Sequence, residues 1–189
     1  IQALADRLEA RAETGDTRIW AMMETAEGIQ NAAAIAKAPR MAGFVMGTND
    51  LAKELGCRHR PDRLALQFAL QTCLLAARAA GIVAVDGVYN AFKDDEGLRA
   101  ECEQGRDLGF DGKTLIHPAQ LDIANAAFAP DAAAIDLARR QIAAFDEATA
   151  KGLGVAVVDG RIVENLHIVT ARQVLTRAEA IAQLQKAMG

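Results

Sequence analysis

The stretch Arg18-Ile-Trp-Ala-Met-Met-Glu24-Thr-Ala-Glu-Gly28 decides the fold. It joins a short apolar run to a carboxylate, and then to a turn of small residues that leads into a helix. This order predicts a buried strand that ends at Met23. A carboxylate at the end of such a strand is costly to desolvate, so we expect Glu24 to face a cation or a hydrogen-bond donor.

Three further apolar runs repeat this pattern, and they lie at 42–46, 82–85 and 113–116. The polar residues that follow these runs are Asp50, Asp86 and His117. The runs are separated by about 25 to 35 residues, the length of one strand–helix unit. Parallel strands whose polar ends share one edge predict an α/β fold, either a barrel or an open sheet. No run is followed by Gly-x-Gly-x-x-Gly, so a dinucleotide-binding fold has no support.

Apolar side chains on the first strand and on one long helix are expected to form the core. The helix is predicted to begin at Pro61 and to end before Gly81. The helix residues predicted to pack on the sheet are Leu64, Phe68, Leu70, Leu74 and Leu75. In the first strand, Trp20 and Met22 are also expected to be buried.

The last third of the chain has a different pattern. Residues 130–151 predict a helix, and a final helix is predicted over 166–186. Between them, residues 155–164 predict a β-hairpin, because Asp159-Gly160 is a favoured two-residue turn. This segment is predicted to be a lid or a subunit contact, so we divide the chain into domains at 1–129 and 130–189.

Composition narrows the class of protein. The chain has 189 residues, enough for one sizeable core, and its net charge of −4 argues against a nucleic-acid partner. It contains no apolar run of about 18 residues, so we expect no membrane span. Cys57, Cys73 and Cys102 lack the spacing of metal ligands, which favours reduced thiols in a cytoplasmic protein.

Two strand-end carboxylates form a candidate metal site. Glu24 and Asp50 follow successive parallel strands, which lie about 4.8 Å apart, so the two groups can converge on one cation. Mg²⁺ is typically held by one or two carboxylates, with waters and substrate oxygens completing its six positions. Gly47, Thr48 and Asn49 could offer backbone N–H groups to a substrate carboxylate. The alternative is that each acid caps the helix that follows it.

Other polar residues allow two interpretations each. Asp86 is assigned a catalytic role in ordering waters near the metal, or it forms an Asp-Gly turn. His117 is assigned to substrate binding, or it is structural because it precedes the helix-initiating Pro118. The basic residues of the 58–63 segment either contact a phosphate group or form a solvated loop.

The chain resembles the citrate lyase β-subunit-like proteins of the HpcH/HpaI aldolase superfamily, which include malyl-CoA and citramalyl-CoA lyases and malyl-CoA thioesterases. Four motifs carry the resemblance in the same order and spacing. They are Met23-Glu24-Thr25-Ala26-Glu27-Gly28, Gly47-Thr48-Asn49-Asp50-Leu51, Asp86-Gly87-Val88-Tyr89 and Gly112-Lys113-Thr114-Leu115-Ile116-His117-Pro118.

The resemblance implies a TIM (β/α)8 barrel with a C-terminal lid, in which Glu24 and Asp50 bind Mg²⁺, with Mn²⁺ as a substitute. It implies an enzyme, a Mg²⁺-dependent carbon–carbon lyase. Such an enzyme cleaves a 3-hydroxy-3-carboxyacyl-CoA, of malyl-CoA or citramalyl-CoA type, to an acyl-CoA and an α-keto acid. Coenzyme A is then part of the substrate. The alternatives are a malyl-CoA thioesterase on the same site, a CoA-independent pyruvate aldolase, and an inactive fragment.

The resemblance also implies that the lid of one subunit reaches the site of its neighbour in a homo-oligomer, a trimer or a hexamer. A lid acid transfers a proton there, and Glu164 stands where the related proteins have Asp. The extra methylene moves the carboxylate by about 1 Å, which is enough to affect a rate.

The resemblance covers the last four of eight barrel strands. On this basis residues 1–129 are the second half of a barrel domain, and the protein is expected to be longer by roughly 100 residues, about 30 for each strand–helix unit. The other half is expected to supply an arginine for the substrate carbonyl.

Overall fold

The computed structural model describes the backbone of residues 1–188 and the side chains of residues 1–187. The chain divides into two compact units, Ile1–Phe128 and the remainder from Ala129. No helix within residues 1–188 combines the length and the apolar character needed to cross a membrane.

The first unit is built on a parallel sheet. Its strands are β1 (Ile19–Met23), β2 (Met41–Met46), β3 (Val83–Asp86) and β4 (Gly112–Lys113). They lie side by side in the order β1-β2-β3-β4, and every neighbouring pair is parallel. The prediction of an α/β fold with a parallel sheet is confirmed.

The last strand is shorter than the predicted 113–116 run. The ladder between β3 and β4 contains only the pairs Val85–Gly112 and Asp86–Lys113. Three residues later, the Ile116 N–H donates to the side-chain oxygen of Gln120 at 3.0 Å instead of to a strand. The backbone therefore leaves the sheet after Lys113, because a buried side-chain amide has replaced the ladder as its partner.

Helices connect the strands. Those of the first unit are α1 (Gln2–Glu9), α2 (Ala26–Gln30), α3 (Ala32–Ala36), α4 (Thr48–Leu55), α5 (Gln67–Ala80), α6 (Asp95–Leu108) and α7 (Leu121–Phe128). Short 3-10 turns lie at Ala12–Thr14, Leu64–Leu66 and Pro118–Gln120. Glycines in the left-handed conformation end three of these helices, and they are Gly56, Gly81 and Gly109.

The two faces of the sheet differ in burial. Side chains alternate along β1, so Ala21 and Met23 are buried while Trp20 and Met22 are about half exposed, at 48% and 53%. The buried face packs against the helices and joins Phe44 of β2 in the main core. The expectation that Trp20 and Met22 lie in the core is therefore wrong, because they belong to the opposite face of the strand.

The long helix also differs from its prediction. It begins at Gln67 and not at Pro61, because Arg63 adopts a left-handed backbone conformation with φ of 49°. Leu70 and Leu74 are buried as expected. The other three predicted core positions are exposed, and these are Leu64, Phe68 and Leu75. Small residues take their place against the core, namely Ala69, Cys73, Ala76 and Ala77.

The second unit contains two helices and a hairpin. Helix α8 (Ala132–Ala150) begins at Asp131, whose carboxylate accepts a hydrogen bond from the Ala134 N–H at 2.7 Å. Strands β5 (Ala156–Val158) and β6 (Arg161–Val163) pair antiparallel, and helix α9 (Asn165–Met188) follows. Asp159 and Gly160 both have positive φ, as the favoured hairpin turn requires.

Candidate metal and substrate site

A cavity of about 180 Å³ lies at the carboxyl end of β1 and β2. Glu24 and Asp50 both line it, together with the Gly47–Asn49 segment that connects β2 to α4. Met22, Val45, Met46, Val88 and Thr114 complete its walls. The structure therefore brings together five residues that the sequence assigned to metal or substrate binding.

Glu24 reaches the cavity because of strand alternation. Met23 points into the helix-covered core, so the next residue faces the opposite side of the sheet, as Met22 does. The backbone of Gly47 passes directly beside it, and its N–H donates to the Met23 carbonyl at 3.1 Å. A Cβ atom at Gly47 would lie 2.4 Å from the Glu24 Cβ, so only glycine fits this approach.

The two acids do not cap the helices that follow them. Thr25 is the N-cap of α2, and its hydroxyl accepts a hydrogen bond from the Gly28 N–H at 3.0 Å. Gly47 occupies the N-cap position of α4, which leaves Asp50 inside the first helical turn. The capping alternative is therefore wrong for both Glu24 and Asp50, and their carboxylates remain available.

The residues present fit a magnesium ion. Within the part of the chain that the structure describes, neither the Glu24 nor the Asp50 carboxylate has a hydrogen-bond or ion-pair partner of its own. Two unpaired anions in one cavity favour a bound cation. The same described residues contain no cluster of three or more His, Cys, Asp or Glu side chains able to hold a metal. A pair of carboxylates with open positions suits Mg²⁺, which keeps several waters and substrate oxygens, better than Zn²⁺.

Asp86 lies in a different environment. It shares the face of β3 that carries Ala84, so its side chain enters the helix layer, and it is fully buried. Both of its oxygens accept hydrogen bonds from Arg63 Nη1, at 2.7 and 2.8 Å, and Lys113 Nζ lies 3.4 Å from Oδ2. Lys113 also pairs with Glu101 at 2.5 Å.

This buried network gives structural roles to Arg63 and Asp86. Arg63, which sequence reasoning placed in a basic surface segment, is 5% exposed and ties that segment to the sheet. Its Nε donates to the Gln104 side chain at 2.6 Å. Asp86 is absent from the described side chains that line the Glu24 cavity. Its contacts are those of a structural anchor and do not place it beside the two metal-ligand candidates.

His117 is exposed and caps the turn at Pro118–Gln120, because its Nδ1 accepts a hydrogen bond from the Ala119 N–H at 3.1 Å. Its ring stacks on Phe92, with centroids 4.8 Å apart. This geometry matches the structural interpretation of His117. Among the described side chains, those that line the two cavities at this edge of the sheet do not include it.

A larger cavity of about 350 Å³ adjoins the first and shares Thr48, Asn49 and Val88 with it. Arg58, His59 and Arg60 line one side. Tyr89 and Asp94 line another, and the Tyr89 hydroxyl donates to Asp94 at 2.6 Å. This hydrogen bond is the main reason that the pKa of Tyr89 is raised to about 12. It is also the main reason that the pKa of Asp94 lies below its usual range.

One contact at this edge was not found from the sequence. The side-chain amides of Asn49 and Asn90 donate to each other, at 3.1 and 2.7 Å, and so connect the loop after β2 to the loop after β3. The only sequence signal was that both asparagines follow strand ends.

Glu164 belongs to the second unit, where it lies between β6 and α9. Its side chain is exposed, and its backbone N–H donates to His167 Nδ1 at 3.0 Å. The second strand ends at Val163, so Glu164 lies directly after the hairpin and not within it, as the predicted range of 155–164 had placed it.

Comparison with known proteins identifies the family. Residues 2–118 match the HpcH/HpaI aldolase/citrate lyase family, and this range contains Glu24 and Asp50. The chain belongs to the HpcH/HpaI aldolase/citrate lyase family. The resemblance predicted from the four motifs is confirmed.

Two curated relatives differ in their sequence identity to this chain. A (3S)-malyl-CoA thioesterase of Cereibacter sphaeroides is 70% identical over 182 residues, which are 96% of this chain and 64% of the relative. The citrate lyase subunit beta of Escherichia coli is 39% identical over 168 residues, 88% of this chain and 56% of the relative. The chain therefore spans less than two thirds of the length of these relatives.

A solved structure extends the comparison. CitE of Mycobacterium tuberculosis, in complex with magnesium, acetoacetate and coenzyme A, superposes with a TM-score of 0.76 and 32% identity. The match covers 88% of this chain and 63% of CitE.

The comparison corrects one prediction. A carbon–carbon lyase was the main function inferred from the sequence, and that inference is wrong, because the relatives at about 70% identity are thioesterases. The motifs that led to it were assigned to a metal and a substrate carboxylate. Cleavage of a carbon–carbon bond and hydrolysis of a thioester can both use those groups, so the motifs do not separate the two reactions.

Proposed function

We propose that this chain carries the metal and substrate site of a Mg²⁺-dependent thioesterase, which hydrolyses a malyl-CoA-type thioester to a hydroxy acid and free coenzyme A. The observation that carries the proposal is the pair of unpartnered carboxylates, Glu24 and Asp50, in one cavity. The 70% identity to (3S)-malyl-CoA thioesterases supports the choice of substrate and reaction.

The residues of the site would act together on the substrate. Glu24 and Asp50 would hold Mg²⁺, which supplies Lewis-acid polarisation of a substrate oxygen when it is bound. Thr48 and Asn49 begin helix α4, so their backbone N–H groups lie at the positive end of the helix, where they can bind a carboxylate. The Gly47 N–H, which the sequence had also offered for this role, already donates to the Met23 carbonyl. In the reaction, water adds to the thioester carbonyl carbon, the carbon–sulfur bond breaks, and the thiolate leaves and takes up a proton.

Further parts of the proposal rest on the family resemblance. Glu164 is proposed as the proton-transfer acid of a lid formed by residues 130–189. The first unit is proposed as half of a TIM barrel, since its sequential strand order is that of a barrel and lacks the reversal of a doubly wound sheet. A homo-oligomer in which the lid reaches a neighbouring subunit is proposed with it.

The test of the reaction uses the full-length protein with Mg²⁺ and malyl-CoA. Free thiol release is followed with a chromogenic thiol reagent, and products are identified by mass spectrometry. We expect malate and coenzyme A. Formation of acetyl-CoA and glyoxylate without free thiol, or no turnover at all, would reject the proposal.

The test of the site uses Glu24→Gln and Asp50→Asn. Each removes one anion without a change in shape, so we expect weaker Mg²⁺ binding and a loss of kcat of at least a hundredfold. Glu27→Gln is the matched control, because it removes an exposed carboxylate three positions from Glu24. Equal activity in all three variants would show that the site is wrongly placed.

The lid assignment has its own test. If Glu164 transfers a proton, Glu164→Ala reduces kcat strongly while Glu164→Asp retains a large part of it, because aspartate keeps the acid. Unchanged kcat in both variants would remove Glu164 from the mechanism.

A further inference from the structure

Asn49 and Asn90 form a reciprocal amide pair, which we call the amide clasp. Asn49 is half buried in the first turn of α4 and lines both cavities, so it lies on the boundary between them. Asn90 is exposed, lies in the loop after β3 and lines the larger cavity. Two different loops therefore meet at the boundary of the two cavities through these side chains.

The clasp couples the orientations of the two amides. Each amide has two N–H donors and one oxygen with two lone pairs, and the clasp uses one donor and one lone pair of each. If one amide turned over alone, two donors and two acceptors would face each other. The two amides can therefore turn over only together, and the clasp holds the Asn49 side chain in place with one N–H and one lone pair still available at the boundary.

The residue beside Asn49 is the metal-ligand candidate Asp50. Both lie in the first turn of α4, whose N-cap Gly47 offers no side chain to hold it. The buried side chain of Thr48 attaches this turn to the loop after β3, where it lies against Gly87. The clasp supplies the corresponding attachment on the exposed side.

We propose that Asn90 is a positioning residue, which acts through Asn49 to hold the Gly47–Asp50 turn in the orientation that binds the metal ion and the substrate. The inference rests on the proposed function for the substrate part, whereas its metal part can be measured separately. A purely structural loop contact would change stability without a change in metal affinity.

The experiment measures the dissociation constant for Mn²⁺, by electron paramagnetic resonance, in a double-mutant cycle. The proteins are wild type, Asn49→Ala, Asn90→Ala and the double variant. We expect Asn90→Ala to raise the dissociation constant about three- to fivefold, the effect of one or two partly exposed hydrogen bonds. Because Asn90 acts through Asn49, it should change the constant less than twofold once Asn49 is alanine.

Asn31→Ala is the matched control, since its exposed amide donates to the Glu27 carbonyl at 2.8 Å and lines neither cavity. It should leave the Mn²⁺ constant unchanged. If Asn90→Ala does not fold by circular dichroism, Asn90→Ser takes its place. A wild-type Mn²⁺ constant in the Asn90 variant, or effects that add in the double variant, would overturn the inference.

The kinetic readout separates the two proposals. In a protein that hydrolyses malyl-CoA, Asn90→Ala should raise KM about three- to fivefold with kcat within twofold of wild type. If the four proteins give the expected Mn²⁺ dissociation constants but the wild type releases no thiol from malyl-CoA, the proposed function is rejected and the positioning role of Asn90 is supported.

Discussion

At the scale of single residues, the site depends on which face of a strand carries an acid. Glu24 and Asp86 both stand at the carboxyl ends of strands in the same parallel sheet, β1 and β3, yet only Glu24 lines the cavity. The residue before Glu24 is buried in the helix-covered core, whereas Asp86 lies two positions after Ala84 and shares its buried face. Because successive side chains of a strand point to opposite faces of the sheet, a shift of one position makes the difference between Glu24, a metal-ligand candidate, and Asp86, a structural anchor.

Gly47→Ala tests the close approach at Glu24. The new methyl group would lie 2.4 Å from the Glu24 Cβ and 3.3 Å from its Cα, so the Glu24 backbone or the turn must move. We expect at least a tenfold weaker Mg²⁺ affinity, measured by calorimetry, with the protein still folded. Gly15→Ala is the control for a glycine-to-alanine change, because Gly15 has φ of −48° and a Cβ there would make only an ordinary contact, 3.7 Å from the Ala12 carbonyl oxygen. Unchanged metal affinity in Gly47→Ala would contradict the role given to this glycine.

Asp86→Asn tests the buried network. The change leaves Arg63, which is 5% exposed, without a negative partner in the core. Loss of one member of a buried ion pair costs about 3 kcal/mol of unfolding free energy, which is roughly 10 °C in Tm for a chain of this size. The measurement is thermal unfolding followed by circular dichroism.

The control for Asp86→Asn is Asp107→Asn, which breaks an ion pair with Arg106 that is about half exposed. Its cost should stay below about 1 kcal/mol. Equal Tm values for the two variants would mean that the network contributes no more than a surface pair.

At the scale of elements, helices α5 and α6 pack small side chains, including cysteines, against the sheet. Cys73 of α5 and Cys102 of α6 are both fully buried. Burial raises the pKa of the Cys73 thiol to about 12, and burial is also the main cause that raises the pKa of Cys102. The helices thus approach the sheet closely and keep these thiols protonated.

This packing predicts the reactivity of the cysteines. The thiolate is the reactive form, so buried thiols with raised pKa values should not react at pH 8. In the native protein we expect a thiol reagent to modify only Cys57, which is partly exposed, and to modify all three cysteines after unfolding in guanidinium. Peptide mass spectrometry identifies the modified positions. Rapid native modification of Cys73 would show that α5 opens readily.

At the scale of the whole molecule, the sheet of the first unit has one face covered by helices and another face with exposed apolar side chains. Trp20, Met22 and Val83 lie on that second face, at 48%, 53% and 38% exposure. Trp20 crosses Gly43 of β2, where a Cβ would lie 2.6 Å from its ring. The indole therefore lies flat on the sheet with its other side exposed.

Trp20 is the single tryptophan, so its fluorescence reports on this face alone. For residues 1–189 in dilute solution we expect red-shifted emission and strong quenching by acrylamide, because the indole is half exposed. A blue-shifted, protected tryptophan would contradict this and show that the face is covered in solution. Size-exclusion chromatography with light scattering, on the same sample, distinguishes the proposed trimer or hexamer from a monomer.

Much of the candidate site could be predicted from the sequence, because it is encoded locally. The apolar run 19–23 followed by Glu24, and the Gly47-Thr48-Asn49-Asp50 turn, each place a carboxylate after a strand. Parallel pairing then brings the two acids to one edge. The hairpin at Asp159-Gly160 was equally local, since both of its turn residues adopt positive φ.

Only the tertiary structure decided the rest, because it depends on residues far apart in the chain. The Arg63–Asp86 ion pair spans 23 residues, and the clasp between Asn49 and Asn90 spans 41. No local pattern indicates which distant partner a polar side chain will find. The same holds for the exposed Phe68, whose helix buries alanine and cysteine because these small side chains allow the closest approach to the sheet.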